Sequence, residues 1–442
     1  MKFSCILLFL LLGAGSSLQA MGTPSSDGAS TDPIVALTPL TLEHALNEAF
    51  QHNPGWEGAR LSSQQAREDI QILSGWADPK VRIVQALESV ETRLGPQERS
   101  ATVSQRLPYW GESSLAADAA EAGVRIADRR TESYRQNLRN QVKLVFYEIW
   151  ELQRSLEALR QNQILVQQLA TIGTTGLSGS VGSLRSVLKA QAQIGQSAYD
   201  FLVVQDKLHS ATARLNALLG RQSSGEIRNP LLVSEPPLPS LPESLESQIE
   251  LALANNPELQ AIKESISRDR YLAEFAQAGA RFPSIEISYT LVQIGEALNP
   301  DLKDSGKDAS NIGIGFNLPW GNSKRSAKQE KASLELRRSE LDLVNRINLM
   351  RESVTEAYYK ALNAQRLETL FAETLLPQAV RTLSIAERMT RTSNESPMAA
   401  LEARNVLLNF QISSFRARSD LLKALAMLDV LTGQAESPAP IQ

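Results

Sequence analysis

Leu42-Glu43-His44-Ala45-Leu46-Asn47-Glu48-Ala49-Phe50-Gln51-His52-Asn53-Pro54 returns 203 positions later as Leu245-Glu246-Ser247-Gln248-Ile249-Glu250-Leu251-Ala252-Leu253-Ala254-Asn255-Asn256-Pro257. Three more echoes follow in the same order. Leu107-Pro108-Tyr109-Trp110-Gly111 returns as Leu318-Pro319-Trp320-Gly321, Leu188-Lys189-Ala190 as Leu401-Glu402-Ala403, and Leu215…Leu218…Gly220 as Leu428…Leu431…Gly433. One such match could be chance; four in order, with offsets drifting only from 203 to 213, mark an internal duplication. The reading is repeat one over 40–229, a Pro-rich connector over 230–242 centred on Glu235-Pro236-Pro237, and repeat two over 243–433.

Within each repeat the apolar periodicity predicts short helix, helix, strand, strand, long helix, tip and helix. Thr38 or Thr41 is placed to cap the first helix, with Glu43 or Glu48 near its positive end. A long helix from Glu112 to Ile172 carries the seam Leu138, Val142, Val145, Ile149, Leu152, Leu156, Leu159, in steps of four and three. After a tip over 173–186, a second seam runs through Val187, Ala190, Ile194, Ser197, Phe201, Val204, Leu208, Ala211, Leu215 and Leu218. Repeat two presents Leu343, Ile347, Met350, Val354, Ala357 and Ala361, a tip over 390–400, then Leu401, Leu408, Phe415 and Leu422. Sustained seven-residue spacing suits close-packed long rods. At roughly 1.5 Å per residue the first rod is about 90 Å long, matched by two shorter helices, 47–77 and 184–219, laid end to end. In repeat two the stretch from Asn322 to Met389 forms the long helix, and Pro377 is expected to kink it.

The strands alternate apolar and polar residues: 81–91 and 99–108 in repeat one, 284–295 and 309–319 in repeat two. Ile285, Ile287, Tyr289 and Leu291 stand against Glu286, Ser288 and Thr290; Ile312, Ile314, Phe316 and Leu318 against Asn311, Gly313, Gly315 and Asn317. Runs of about ten residues with one apolar face fit a membrane barrel. Four strands cannot close one, since the smallest have about eight, so closure calls for several chains. Pro108-Tyr109-Trp110-Gly111 and Pro319-Trp320-Gly321 end equivalent strands with aromatic residues where a membrane interface would lie. The predicted class is therefore mainly α with a small transmembrane β part.

Composition narrows the function. Of 442 residues, 45 are Lys or Arg and 49 Asp or Glu, giving −4 with no basic stripe, which argues against a nucleic-acid partner. Three histidines (His44, His52, His209) and one cysteine make a metal cage or disulfide framework improbable, and no phosphate loop, His-Glu-x-x-His or Gly-x-Ser-x-Gly occurs. No enzymatic activity, cofactor or resident metal is expected. Residues 1–20, with Lys2, an apolar run Ile6–Leu12 and Leu18-Gln19-Ala20, read as an export signal; Cys5 lies inside it. A flexible segment over 21–39 and a short tail over 434–442 complete the chain.

Leu42-Glu43…Asn53-Pro54, Asp78-Pro79, Gln105-Arg106-Leu107-Pro108-Tyr109-Trp110-Gly111, Leu215-Asn216-Ala217-Leu218-Leu219-Gly220, Phe282-Pro283 and the stretch Leu376-Pro377-Gln378 to Leu401-Glu402-Ala403 together resemble TolC-type outer-membrane efflux proteins. Glu91-Thr92-Arg93-Leu94-Gly95-Pro96-Gln97-Glu98 is similar to the first hairpin loop of the heavy-metal, CzcC-like branch. The resemblance implies a homotrimer in outer-membrane lipid, with a 12-stranded barrel and a 12-helix periplasmic tunnel. It would act as a passive exit duct, partnered by a periplasmic adaptor and an inner-membrane pump of RND or ABC type. A periplasmic adaptor and a secreted structural coiled coil are the rival readings; two hairpins each with its own strand pair, and Tyr-Trp-Gly strand endings, count against them.

The tips depart from the family pattern: Arg185-Ser186-Val187-Leu188 follows Gly176 in the first, and Met389-Thr390-Arg391-Thr392 precedes Ala399-Ala400-Leu401 in the second. A periplasmic aperture is expected there, formed by Gly176, Arg185, Leu188, Ala190, Arg388, Arg391, Glu395, Pro397, Leu401 and Ala403.

Overall fold

Asn-Pro pairs break what would otherwise be single helices, and the architecture follows from those breaks. In the computed structural model, which describes residues 39–175, 181–221, 232–242, 244–299, 301, 303–317, 322–392 and 398–434, helix α1 (Leu42–His52) stops at Asn53 and α2 (Pro54–Ser74) starts at Pro54. The expected continuous helix over 47–77 is thereby corrected: proline cannot donate the backbone bond that would join the two. The duplicated pair α5 (Leu245–Asn255) and α6 (Pro257–Arg281) breaks at Asn256 in the same way. Thr41, rather than a residue further upstream, caps α1, its Oγ1 accepting the His44 amide at 3.2 Å. The export-signal reading and the C-terminal tail from 435 onward lie outside the described residues.

Each Asn does two jobs. Asn53 Oδ1 accepts the Trp56 amide at 3.0 Å, while its Nδ2 donates 2.9 Å to the Leu218 carbonyl, 165 residues away. Asn256 Oδ1 accepts from the amides of Glu258 and Leu259, and its Nδ2 donates 3.0 Å to the Leu431 carbonyl. The helix ends so clamped are α4 (Val181–Leu218) and α9 (Met398–Thr432). Gly220 and Gly433 follow with φ of +72° and +68°. A Cβ on Gly220 would collide with the His52 carbonyl oxygen, and one on Gly433 would lie 2.8 Å from that of Asn255. Glycine is required at both places by conformation and by space.

The long helix α3 (Glu112–Thr175) packs along α2, α4, α6 and α9, and its expected seam is the buried one. Leu138, Val142, Val145, Ile149, Leu152 and Leu159 are all buried, with Leu208, Ala211 and Leu215 of α4 against them and Ala45 and Ala49 of α1 closing the end. A second cluster holds Met350, Val354, Ala357 and Ala361 of α7 (Asn322–Thr369) against Leu259 of α6 and Leu421, Leu425 and Leu428 of α9. Burial of each such Leu, Ile or Phe contributes about 1.5–3 kcal/mol. Tyr147, buried among them, has its hydroxyl pushed up to about 12 by desolvation, with the nearby Asp429 carboxylate adding to the shift.

Pro377 does not simply kink the helix. Between α7 and α8 (Leu376–Thr392) the chain takes a π-helical stretch, Leu370–Leu375, in which the Leu376 amide reaches back five residues to the Phe371 carbonyl. The wider turn absorbs the donor that proline lacks and keeps the rod continuous. The helices also reach further into the tips than expected: α3 to Thr175, α4 from Val181, α8 to Thr392 and α9 from Met398.

The strands depart from expectation mainly in length. β1 (Lys80–Gln85) is shorter, β3 (Gly95–Leu107) longer, and a two-residue β2 (Glu91–Thr92) folds back on β3. β4 (Ile285–Ile294) and β5 (Ala309–Phe316) complete one antiparallel sheet in the order β1-β3-β4-β5. The two strand pairs are thus joined through β3 and β4, from Gln97 opposite Ile294 to Leu107 opposite Ile285.

The connector straps the helices. Leu40 and Val233 pair as a parallel bridge, the Val233 amide donates to Gln153 Oε1 at 3.2 Å, and Glu235 pairs with Arg154 of α3 at 3.2 Å and Arg418 of α9 at 3.0 Å. Arg418 also lies over the Trp150 ring, 5.3 Å from its centroid.

Asn256→Ala removes a buried donor and acceptor together and should cost about 1–3 kcal/mol. Asn256→Ser, which keeps the cap acceptor but cannot reach Leu431, should fall between the two. Urea midpoints of the detergent-solubilised protein followed by circular dichroism test the order.

Candidate functional site

Register sorts the sheet into two faces. Val81, Val103, Tyr289 and Ile312 lie in one cross-strand row; Leu107, Ile285 and Phe316 in another; Ile287 and Ile314 between them opposite Gln105. Apart from the half-buried Leu107, the apolar side chains of these rows are exposed along an unpartnered face, Ile312 at 77%, with Ile83 on the same face at 74%. The alternate rows nearer the helices are polar or small, Arg82, Thr102, Thr290 and Asn311, then Lys80, Ser104, Ser288 and Gly313, while toward the hairpins Val84 and Val292 flank Ser100 on the same face. A contiguous exposed apolar patch on one side of a sheet whose other side is polar is a surface built for lipid on one face and water on the other. No helix among the described residues is long and apolar enough to cross a membrane.

At one end of the sheet the two hairpins brace each other. The Gly295 amide donates to the Pro96 carbonyl at 2.8 Å, the Gly306 amide to Leu94 at 2.8 Å, and the Leu298 amide to Glu91 Oε1 at 3.0 Å. Gly95, at φ +129°, lies so close to the Gly295 carbonyl that no side chain fits.

At the other end, the sheet passes into the helices through Pro108-Tyr109-Trp110-Gly111. Tyr109 is half-buried: its ring packs on Phe275 of α6 and on Phe282, which caps that helix, at centroid distances of 6.1 and 6.5 Å, and its hydroxyl donates to the Phe275 carbonyl at 3.3 Å. Trp110 is 91% exposed, and Gly111 turns at φ +84° into α3. The strand end thus divides its aromatics, one spent on the helices and one free. Trp76, exposed before β1, adds an aromatic that the sequence reading passed over; its place two residues before Asp78-Pro79 was the available signal. Pro319, Trp320 and Gly321 lie outside the described residues.

Of the aperture residues, Leu401 and Ala403 are buried, and Ala403 packs with Ala379, Leu383 and Leu407 where α8 meets α9. Leu188 is 57% exposed, and Arg388 is an exposed side chain whose Nε donates to the Ser384 carbonyl at 3.3 Å. Arg185, Ala190 and Arg391 sit on α4 and α8 with side chains outside the description, and Gly176, Glu395 and Pro397 fall outside it altogether. Further from the second tip, burial lowers the basicity of the Arg404 guanidinium, against a smaller opposing effect of Glu387. His44 and His52 bond only to their own helix, and no group of three or more His, Cys, Asp or Glu among the described residues is placed to hold a metal.

Residues 45–221 and 248–434 match the family described as outer membrane efflux protein. The chain belongs to that family. The helical rods with a small sheet are the TolC-like fold, and the protein is an outer-membrane exit duct that extends into the periplasm. Among solved structures it is similar to VceC of Vibrio cholerae (17% identity, TM-score 0.69, covering 89% of this chain and 96% of that one). It is also similar to the outer-membrane channel CmeC of Campylobacter jejuni (16%, 0.70, 95% and 96%) and to MtrE of Neisseria gonorrhoeae in its open state (15%, 0.72, 89% and 88%). At these identities the likeness is one of fold. No curated protein matches the chain in sequence.

Arginine at Ile314, on the apolar face, should weaken membrane insertion of the efflux protein by about 2–4 kcal/mol near the bilayer midplane. Arginine at Asn311, on the polar face of the same strand, should not. The fraction of each variant recovered in carbonate-washed outer membranes measures the difference.

Proposed function

We propose that three copies of the chain close one twelve-stranded barrel, each contributing its four-stranded sheet, and that their long helices form a continuous tube through the periplasm. The observation that carries this is the sheet itself: β1 and β5 each present an unpaired edge, beside an apolar face open to its surroundings. In hydrocarbon, unpaired backbone donors and acceptors cost several kcal/mol each, so the edges must meet other copies. Trp110 and Trp320 mark the periplasmic membrane boundary, and the braced hairpins around Gly95 and Gly295 face outward.

The duct does no chemistry. Cargo is handed to it by a periplasmic adaptor and an inner-membrane pump, which supplies the energy. The adaptor docks at the helix tips, where Gly176, Arg185, Arg388, Arg391 and Glu395 from three copies crowd one axis. Opening is an iris-like rotation of one helix pair, biased by adaptor contact.

Cross-linking in detergent should stop at three chains, and the purified protein should conduct in planar bilayers; a monodisperse monomer would refute the assembly. Glu395 is the one acid among residues 390–400, so Glu395→Ala should loosen a closed resting state and raise single-pore conductance, with Arg391→Ala shifting it in the same direction. Unchanged conductance in both variants would remove these residues from the gate.

A further inference from the structure

The polar face of the sheet ends in a cationic cavity. Past the row of Arg106, Glu286 and Gly315, the same face continues through Ser284 and Asn317, joined by the Asn317 amide donating to the Ser284 carbonyl at 3.1 Å. Together with the ends of α6 and α7 these residues enclose about 400 Å³. Four cations line it, Arg106, Lys324, Arg325 and Lys328, and none of the described residues lining it is a carboxylate. Two of the four are engaged: Arg106 pairs with Glu112 at 2.7 Å, and Arg325 donates to the Ala280 carbonyl at 3.2 Å. Lys324 and Lys328 are exposed, one helical turn apart, and neither ammonium bonds to a described residue. Tyr109 and Phe282, stacked on each other, form an apolar wall beside them.

This arrangement is unfavourable for folding. Like charges four residues apart repel, and the first turns of a helix, where the peptide dipoles point their positive ends, disfavour cations. The equivalent start of α3 carries Glu112 instead. Nor does it reflect a basic protein, since the chain totals −4. Charge concentrated against both local preferences, around an open cavity, fits a partner of opposite sign.

We propose that the cavity is an anion site inside the duct, repeated around its axis where the barrel meets the helical tube, and that it receives carboxylate, phosphate or sulfonate groups of the cargo. This rests on the duct reading above, in which the apolar rows face lipid and the polar face, with the cavity, faces the water path. Two free ammonium groups beside an aromatic wall give several weak contacts, which suits a conduit whose cargo must also leave. The site favours amphiphilic organic acids and repels bare metal cations, so it narrows the cargo class in a direction opposite to that of the Glu91–Glu98 loop.

Reversal potentials in planar bilayers under a potassium chloride gradient test it. Wild-type pores should prefer chloride, and the double variant Lys324→Gln, Lys328→Gln should lower the chloride-to-potassium permeability ratio by about threefold. Lys324→Arg, Lys328→Arg should keep the wild-type ratio. The difference should fade in 1 M salt, where the screening length is about 3 Å. Tripolyphosphate should block wild-type pores at lower concentration than the Gln variant, and Lys328→Gln alone, at an exposed helix position, gives the same reading if the double variant fails to assemble. Pores of equal conductance, equal ion preference and equal tripolyphosphate block in wild type and Gln variants would overturn the anion site while leaving the duct intact. Absence of pores from the wild-type protein would instead overturn the duct reading, and this inference with it.

Discussion

A bilayer interior offers no water to a backbone amide or carbonyl, so every such group must find its partner in protein. The sheet β1-β3-β4-β5 meets that demand along its three internal seams and leaves it unmet at both outer edges. Its side chains make the same point: the row from Val81 to Ile312 is apolar and uncovered, as are Ile285 and Phe316. Most other features of the chain can be understood as holding this incomplete sheet in the right place. The hairpin braces fix one end of it, and the turn through Gly111 delivers β3 at the other end to the long helix α3.

Rigidity over such lengths needs ties across the rods as well as seams along them. The seams supply hydrophobic burial, with Leu138 to Leu159 and Met350 to Ala361 filling two clusters around α9. The ties are polar and few. Asn53 and Asn256 each join the start of one helix to the end of another more than 160 residues away, and Glu235 bolts α3 to α9 through Arg154 and Arg418. Exposed ion pairs contribute little alone, but the connector adds backbone bonds and the Arg418–Trp150 contact at the same place. Asn162 of α3, one turn beyond Leu159, is fully buried, and the neighbouring Gln163 donates to the Ser197 carbonyl of α4. A polar residue in a coiled-coil seam trades stability for register, and here it stands on the way to the tip.

Charge follows a different logic from packing. The paired carboxylates Asp128 and Asp269 are bonded to serines on facing helices, Ser63 and Ser339, with Arg67 and Arg268 beside them. Those groups are satisfied and structural. Lys324 and Lys328 are not satisfied, and they border the polar face of the sheet, where Lys80 and Arg82 also lie without an ion-pair partner among the described residues. Positive charge on that face lies across the sheet from the apolar row of Val81, Val103, Tyr289 and Ile312, a division that suits a surface between water and lipid.

Much of this was legible in the chain. Period-two alternation in Ile285–Leu291 and heptad spacing in Leu138–Leu159 depend on local geometry alone, so they report strand and rod directly. The duplication did the same for element order, and Gly220 and Gly433 stand where a helix end needs a left-handed residue. Local pattern could not show that Asn53 and Asn256 reach the ends of α4 and α9, that Pro377 is absorbed by a π-helical stretch, or that β3 pairs with β4 to make one sheet of two hairpins. Nor could it bring Arg106 beside Lys324 and Lys328, because those residues lie more than 200 positions apart and periodicity carries no information about which faces meet. The sequence by itself determined the kinds of element, their order and which side of each is apolar, since these are set by neighbouring residues. Only the tertiary structure decided the long-range partners and the cationic cavity, since each is a contact made when distant segments are packed.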